Sequence, residues 1–199
     1  MKIGHIWFEY PFINGENFLV RSMEDVKKAD LLIFWGGEDI NPAFYGEKVN
    51  KSYYYRENPR DDWEQYIYET CADAIPMLGI CRGAQLLCAL GGGKLWQHVD
   101  NHNQTHNIKT ADTRIIEVSS THHQMMRPAE HMEVVATSEH LMSPSKWNQN
   151  GEFKDNSEEA EILYDPRANA LMVQGHPEYS GYGQFKQYVL EITKKYLGV

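Results

Sequence analysis

The chain reads as an α/β protein, a mainly parallel sheet flanked by helices, and three observations carry that reading. Apolar runs at 31–35, 75–80 and 170–174 have the composition of short strands buried in a sheet interior. Helical patterns at 60–74 and 82–90 alternate with them, as βαβ units require. Two of the runs end in glycine-bearing turns, Gly36-Gly37 and a cysteine between Gly79 and Gly83, which puts the chemistry at the carboxyl ends of the strands. At 199 residues the chain fits one domain, 1–199, with ample core.

The elements follow in order. Residues 2–7 form a first strand, and 31–35 a second that leads into the Gly-Gly loop. Over 60–74, Trp63, Ile67 and Cys71 recur every four residues with Tyr66 beside them, which predicts a helix. Strand 75–80 and helix 82–90 come next, then strands at 114–118 and 132–137. Segments 161–164 and 170–174 flank Asp165-Pro166-Arg167-Ala168-Asn169 as a hairpin, and 183–197 closes the chain as an amphipathic helix. The polar, turn-rich stretch 143–159 predicts a mobile loop or a short ordered insertion near the active site. Tyr53-Tyr54-Tyr55 is read as packing under the Gly-Gly loop in preference to contacting a ligand.

Within 75–87 the pattern is an apolar run, Cys81 between two glycines, and an apolar helix. This is a nucleophile elbow: a sharp strand-to-helix turn projects the thiol, and Gly79 and Gly83 let the turn close. The helix N-terminus that follows directs its N–H groups at the sulfur and favours the thiolate. A nucleophile needs a base and a group to orient it. Leu171-Met172-Val173-Gln174-Gly175-His176-Pro177-Glu178 ends a short strand in a histidine, and Pro177 turns the chain so that Glu178 reaches the imidazole. Cys81, His176 and Glu178 would then act as a triad.

Cys71 and Cys88 sit within helical patterns and read as packing residues. Three cysteines, an odd number, suit a reducing compartment and not a disulfide framework, so a cytoplasmic location is expected. His98, His102 and His106 recur every four residues, yet the intervening Asn and Asp favour a solvated or pocket-rim loop over a metal site. Adjacent His122 and His123 point in different directions, which argues against a shared ligand sphere. A net charge of -9 with scattered Lys and Arg argues against nucleic acid as a partner. No apolar run reaches membrane-spanning length, and Met1-Lys2-Ile3-Gly4-His5 leads into a strand instead of a signal segment.

Gly-Ile-Cys-Arg-Gly-Ala-Gln at 79–85 together with Gln-Gly-His-Pro-Glu at 174–178 resembles the class I glutamine amidotransferase superfamily, whose fold is flavodoxin-like. The branch it is most similar to contains the γ-glutamyl hydrolases and γ-glutamyl-γ-aminobutyrate hydrolase (the peptidase C26-like proteins). That branch is indicated by Trp35-Gly36-Gly37-Glu38-Asp39-Ile40-Asn41-Pro42, Tyr45-Gly46-Glu47, Arg60-Asp61, Leu90-Gly91-Gly92 and His122-His123-Gln124, in the family's order. The resemblance implies Cys81 as nucleophile, His176 as general base and acid, and Glu178 as its partner. It implies an oxyanion hole from the backbone N–H groups of Gly37 and Arg82, each donor worth about 3–4 kcal/mol in the transition state. Gln85, Thr121, His122 and Gln124 would bind substrate, glutamine or another γ-glutamyl amide. A Cys81 thioester would be hydrolysed to glutamate, with no metal and no organic cofactor. Ammonia would pass to a synthetase partner in an amidotransferase; a stand-alone γ-glutamyl hydrolase would release its amine directly. A binding module that keeps the fold without catalysis is the third alternative. The segment before Trp35 is shorter than in many relatives, which predicts a more open site.

Overall fold

The computed structural model describes residues 1–51 and 55–199, so Tyr53 and Tyr54 of the aromatic triplet lie outside the described residues. In chain order the elements are β1 (Lys2–Ile6), β2 (Glu16–Val20), α1 (Met23–Val26), β3 (Leu31–Phe34), a 3-10 turn (Pro42–Tyr45), α2 (Pro59–Cys71), β4 (Met77–Ile80) and α3 (Arg82–Leu90). There follow β5 (Lys94–Trp96), β6 (His98–Val99), β7 (His106–Thr110), β8 (Ile115–Val118), β9 (Met125–Arg127) and β10 (Glu133–Ser138). β11 (Ser145–Asn148), β12 (Gly151–Lys154), β13 (Ala160–Asp165), β14 (Ala170–Val173) and α4 (Gly183–Leu197) complete the order.

The main sheet runs β2-β1-β3-β4-β14-β13-β10-β7-β8. Its first five strands are parallel, in the 2-1-3-4 order of flavodoxin-like sheets, and from β14 onward each neighbour is antiparallel. Every residue of β3, β4 and β14 is buried, as expected of strands covered on both faces. Alternate side chains feed two cores. Leu32, Phe34, Met77 and Met172 join Ile67, Cys71, Leu86, Leu87 and Cys88 on the α2 and α3 side. Leu31, Ile33, Leu78, Ile80, Leu171 and Val173 join Phe185, Val189, Ile192 and Leu197 of α4 on the other. Burying each of those α4 side chains is worth about 1.5–3 kcal/mol, an upper bound because unfolded chains already hide part of their surface.

Local chemistry sets the element ends. Asn58 accepts a hydrogen bond from the Arg60 N–H, Pro59 occupies the first turn, and Asp61 and Asp62 face the positive end of α2. His5, buried in β1, receives Trp35 Nε1–H at Nδ1 (3.1 Å) and meets Asn17 Oδ1 at Nε2 (2.7 Å), so one neutral tautomer satisfies both nitrogens. Burial depresses its pKa in agreement with that form. Trp35 is thereby fixed directly ahead of the Gly-Gly loop.

Of the two forms expected for 143–159 the structure has the second, a short ordered insertion and not a mobile loop: β11 pairs antiparallel with β12 and with β6 in a separate three-stranded sheet. Its polar character hides a turn centred on Gln149-Asn150-Gly151, with Gly151 at φ 118, and a Lys146 whose ammonium is fully buried against Asp155 Oδ1 (3.3 Å) and the carbonyls of Asp155 and Ser157. The 98–106 histidines are not one solvated loop either. His98 lies on β6, His106 opens β7, and His102 between them is completely buried. Strands β2, β5, β7 and β9 also went unpredicted, because three to five half-polar residues carry little period-2 signal.

Candidate active site

Cys81 stands between β4 and α3 with φ 51 and ψ -108, a conformation rare for a residue with a side chain and one that persists only where surroundings enforce it. They do so here. Cys81 N–H donates to Val173 O (2.8 Å), extending the β4–β14 ladder, while its carbonyl accepts from Gln85 N (3.1 Å), the first turn of α3. The flanking glycines serve close approach: a Cβ on Gly83 would lie 2.1 Å from Phe34 O, and one on Gly79 2.6 Å from Gly83 O. The elbow is held by strand pairing on one side and backbone contact on the other.

β14 runs beside β4, and its continuation delivers the second group. Ser119 accepts from the His176 N–H and donates to the His176 carbonyl, both at 3.0 Å, clamping the residue by its backbone. His176 Nδ1 lies 2.7 Å from Glu178 Oε1, and Tyr179 stacks on the ring at 4.5 Å. Burial pushes the imidazole pKa down, but hydrogen bonds to Cys81 and Glu178 outweigh it and raise the pKa to about 10. Gln174 Nε2 donates to Cys81 Sγ at 3.8 Å. The structure thus brings Cys81, His176 and Glu178 together and adds Gln174, which sequence reasoning used only as part of a motif. Ser119 had no sequence signal.

The Gly-Gly loop is fixed from behind by α2. Arg60 donates to Trp35 O (2.6 Å) and Gly36 O (2.8 Å), and through Nε to Glu64 (2.7 Å). Because a trans peptide sets its C=O and N–H on opposite sides, holding Gly36 O toward Arg60 turns the Gly37 N–H away from it. Arg82 is bound by Asp61 and Glu64, so the residue following Cys81 is tied to the same helix. All four charged side chains are buried, and such a network keeps its geometry only if every member is present. Tyr55 joins it through a 2.7 Å hydrogen bond to Asp61.

The four remaining expected residues divide. Thr121 is exposed and lies beside Tyr179 at the site's rim. Gln85 is buried, donating to Gln174 Oε1 (3.3 Å) and Gln124 O (3.2 Å), so it stands behind Cys81 through Gln174. Gln124 and His122 are buried as well, with His122 Nδ1 2.8 Å from Gln124 O. These three form one buried, hydrogen-bonded group. Clefts of about 520 Å³ (Tyr10, Glu178, Tyr179, Ser180, Tyr182, Lys186) and 390 Å³ (Trp7, Phe8, Gly37, Glu38, Arg60 and neighbours) open beside the triad. Trp7, at φ 76, is half exposed, as are Phe8 and Tyr10, which gives the opening an aromatic rim.

Gly36 separates loop from triad. A Cβ there would lie 2.9 Å from His176 Cε1 and 3.5 Å from the Cys81 Cβ. Gly36→Ala is expected to leave the fold intact while displacing the imidazole, lowering turnover by roughly 10²-fold, the cost of an ångström-scale misplacement. Turnover measured beside a thermal melt checks this; an unchanged rate would mean that the ring does not work in this position.

The model of the Peptidase C26 family matches residues 19–178. The chain belongs to that family. Its curated relatives include the glutamine amidotransferase-like protein YvdE of Lactococcus lactis, 34% identical over 61% of this chain and 49% of YvdE. A glutamine amidotransferase relative from Mycobacterium tuberculosis, Rv2859c, is 38% identical over 34% of this chain and 22% of its own length. This Peptidase C26 member thus spans about half the length of the first of these relatives and less of the second. In fold it is similar to a glutamine amidotransferase from Thermotoga maritima (TM-score 0.60, 16% identity, 99% of this chain and 84% of that one). It is similar also to one from Methylobacillus flagellatus (TM-score 0.58, 13% identity, 97% and 76%). The glutamine amidotransferase fold expected from the sequence is the fold observed.

Proposed function

We propose that this glutamine amidotransferase-like protein hydrolyses the side-chain amide of glutamine or of another γ-glutamyl amide through a cysteine thioester. The observation that carries the reading is that Cys81 and His176 meet against Gly36, with Glu178 on His176 Nδ1 and the cysteine in a strained conformation at a strand-to-helix turn. The Cys81 thiolate attacks the amide carbon, and the backbone N–H groups of Gly37 and Arg82 hold the oxyanion. The His176 imidazolium gives its proton to the departing nitrogen, leaving a γ-glutamyl thioester and ammonia or amine. Neutral His176 then takes a proton from water, whose oxygen attacks the thioester; glutamate forms and the thiol is regenerated. Glu178 holds the tautomer and stabilises the imidazolium. Gln85, His122 and Gln124 shape the floor of the substrate pocket, Thr121 its rim, and residues 1–199 act as one domain without an organic cofactor.

A stand-alone γ-glutamyl hydrolase is the second reading, favoured by the open aromatic rim beside the site. A panel of glutamine and γ-glutamyl amines, scored by glutamate release, separates the two. Glutamine turned over only with an added acceptor system points to a synthetase partner, and fast cleavage of substituted amides points to a hydrolase acting alone. Release from none of them would sink both.

Thiol selectivity tests the nucleophile independently. Burial pushes Cys88 up to about 12 and raises Cys71 also, so neither supplies thiolate near neutrality. A glutamine-like chloroketone is expected to alkylate Cys81 alone. Peptide mapping reads the outcome, and equal labelling of all three cysteines would count against an activated Cys81.

A further inference from the structure

Behind the triad lies a second cluster, none of whose side chains takes a chemical step in the proposed reaction, although one of them, His122, also belongs to the proposed pocket floor. His102, His122 and Glu161 are 0%, 4% and 1% exposed, and among the described residues one ligand atom from each lies within 4.8 Å of the others. Three distant segments supply them: the turn after β6, the loop before β9, and β13.

The hydrogen bonds around these side chains leave particular atoms bare. His122 Nδ1 is 2.8 Å from Gln124 O, a carbonyl that can only accept, so the ring proton sits there and Nε2 keeps a lone pair; Nε2 is buried with no partner. His102 Nε2 faces Glu159 Oε2 at 3.3 Å, and that carboxylate is itself anchored by the N–H groups of Met142 and Ser143 at 2.8 Å. His102 Nδ1 lies 3.3 Å from Glu161 Oε1, and neither ring nitrogen makes a hydrogen bond of normal geometry, so Nδ1 is free to ligate once a cation replaces the proton that the two carboxylates favour there. Glu161 Oε1 already has His106 Nε2 at 3.0 Å and Ser138 Oγ at 3.2 Å, whereas Oε2 is buried without a hydrogen bond.

Acceptor atoms of two imidazoles and a carboxylate converging in a buried site repel one another unless a proton or a cation lies between them. A proton on His102 relieves one contact; it leaves His122 Nε2 and Glu161 Oε2 bare. A divalent cation satisfies all three. The surroundings also have the form that metal sites take: each imidazole presents its other nitrogen to a carbonyl or carboxylate, fixing tautomer and ring plane. We infer that His102, His122 and Glu161 form a buried site for a transition-metal dication, with the two-histidine, one-carboxylate donor set that suits Zn²⁺ and the fourth position left to a solvent oxygen. Bonds of about 2.1 Å in a tetrahedron put ligand atoms ~3.4 Å apart, so side-chain rotations of about an ångström draw the three in. The ion ties the 119–124 loop to β13. Ser119 on that loop clamps His176, and Gln174 N–H donates to Glu161 O (2.9 Å), so the site braces the triad without touching it.

The test uses the full chain, chelator-treated and dialysed, titrated with Zn²⁺ and separately with Co²⁺. Expected are one metal per chain by elemental analysis, tetrahedral Co²⁺ visible bands displaced by Zn²⁺, and a Tm increase of roughly 5 °C or more at a hundredfold excess over Kd. His122→Ala and Glu161→Gln are expected to lose the bands, while His98→Ala keeps them. Absence of stoichiometric metal, bands and Tm shift in the wild-type chain overturns the inference, whether or not the variants fold. So does loss of the bands in His98→Ala with retention in Glu161→Gln. Glutamate release does not enter these readouts, so failure here leaves the proposed reaction standing.

Discussion

Cys81→Ala is expected to reduce glutamate release by roughly 10⁴–10⁶-fold while leaving the thermal melt almost unchanged. The thiol is presented for chemistry, and its removal relieves none of the backbone contacts that hold the elbow. His176→Ala should approach the same loss, since it removes both the partner of the thiol and the proton for the leaving group. Glu178→Gln is expected to slow turnover by less, because the His176 backbone stays clamped by Ser119 and its ring stacked on Tyr179 when the carboxylate is neutralised. Groups acting as a unit are strongly non-additive. The double variant His176→Ala with Glu178→Gln should therefore be scarcely slower than His176→Ala alone; multiplicative losses would mean that Glu178 acts elsewhere. Retained turnover in Cys81→Ala would end the assignment.

Gly83→Ala is expected to remove the folded protein altogether. The added methyl would meet Phe34 O at 2.1 Å and Phe34 C at 2.5 Å, both backbone atoms of a fully buried central strand that cannot retreat without breaking its pairing with β1 and β4. The cost is on the order of 4 kcal/mol or more, a large share of the stability of a domain this size. Gly183→Ala is the control: nothing lies within 4 Å of its Cβ position, and stability should stay within about 1 kcal/mol. Expression yield and denaturant midpoints measure both. A Gly83→Ala protein as stable as the parent would show that helix and strand do not approach as closely as described.

Much of this architecture is legible in the chain, for physical reasons that differ by element. β3, β4 and β14 announce themselves because a strand covered on both faces must be apolar throughout. The elbow is legible because two close backbone approaches admit only glycine, at fixed spacing around Cys81. The 143–159 hairpin is not, because its stability comes from polar groups satisfying one another in three dimensions, as Lys146 shows. The same holds for His102 and Glu161, whose environments depend on partners more than fifty residues away or on strand register. Arg60 illustrates a middle case: the Arg60-Asp61 motif is visible, but its hold on the Gly36 carbonyl emerges only when α2 packs behind β3.

The pairing of β4 with β14 has one more consequence. Cys81 and Gln174 are 93 residues apart, and the parallel register Ile80↔Val173 is what brings the elbow and the histidine strand side by side. Closing so long a loop costs entropy before any contact compensates for it, and parallel pairings of distant segments form slowly. The reactive centre cannot exist in a chain that has collapsed locally but not closed this loop. Selective alkylation of Cys81 during refolding would therefore time the joining of the two halves of the sheet, separately from the earlier helix signal.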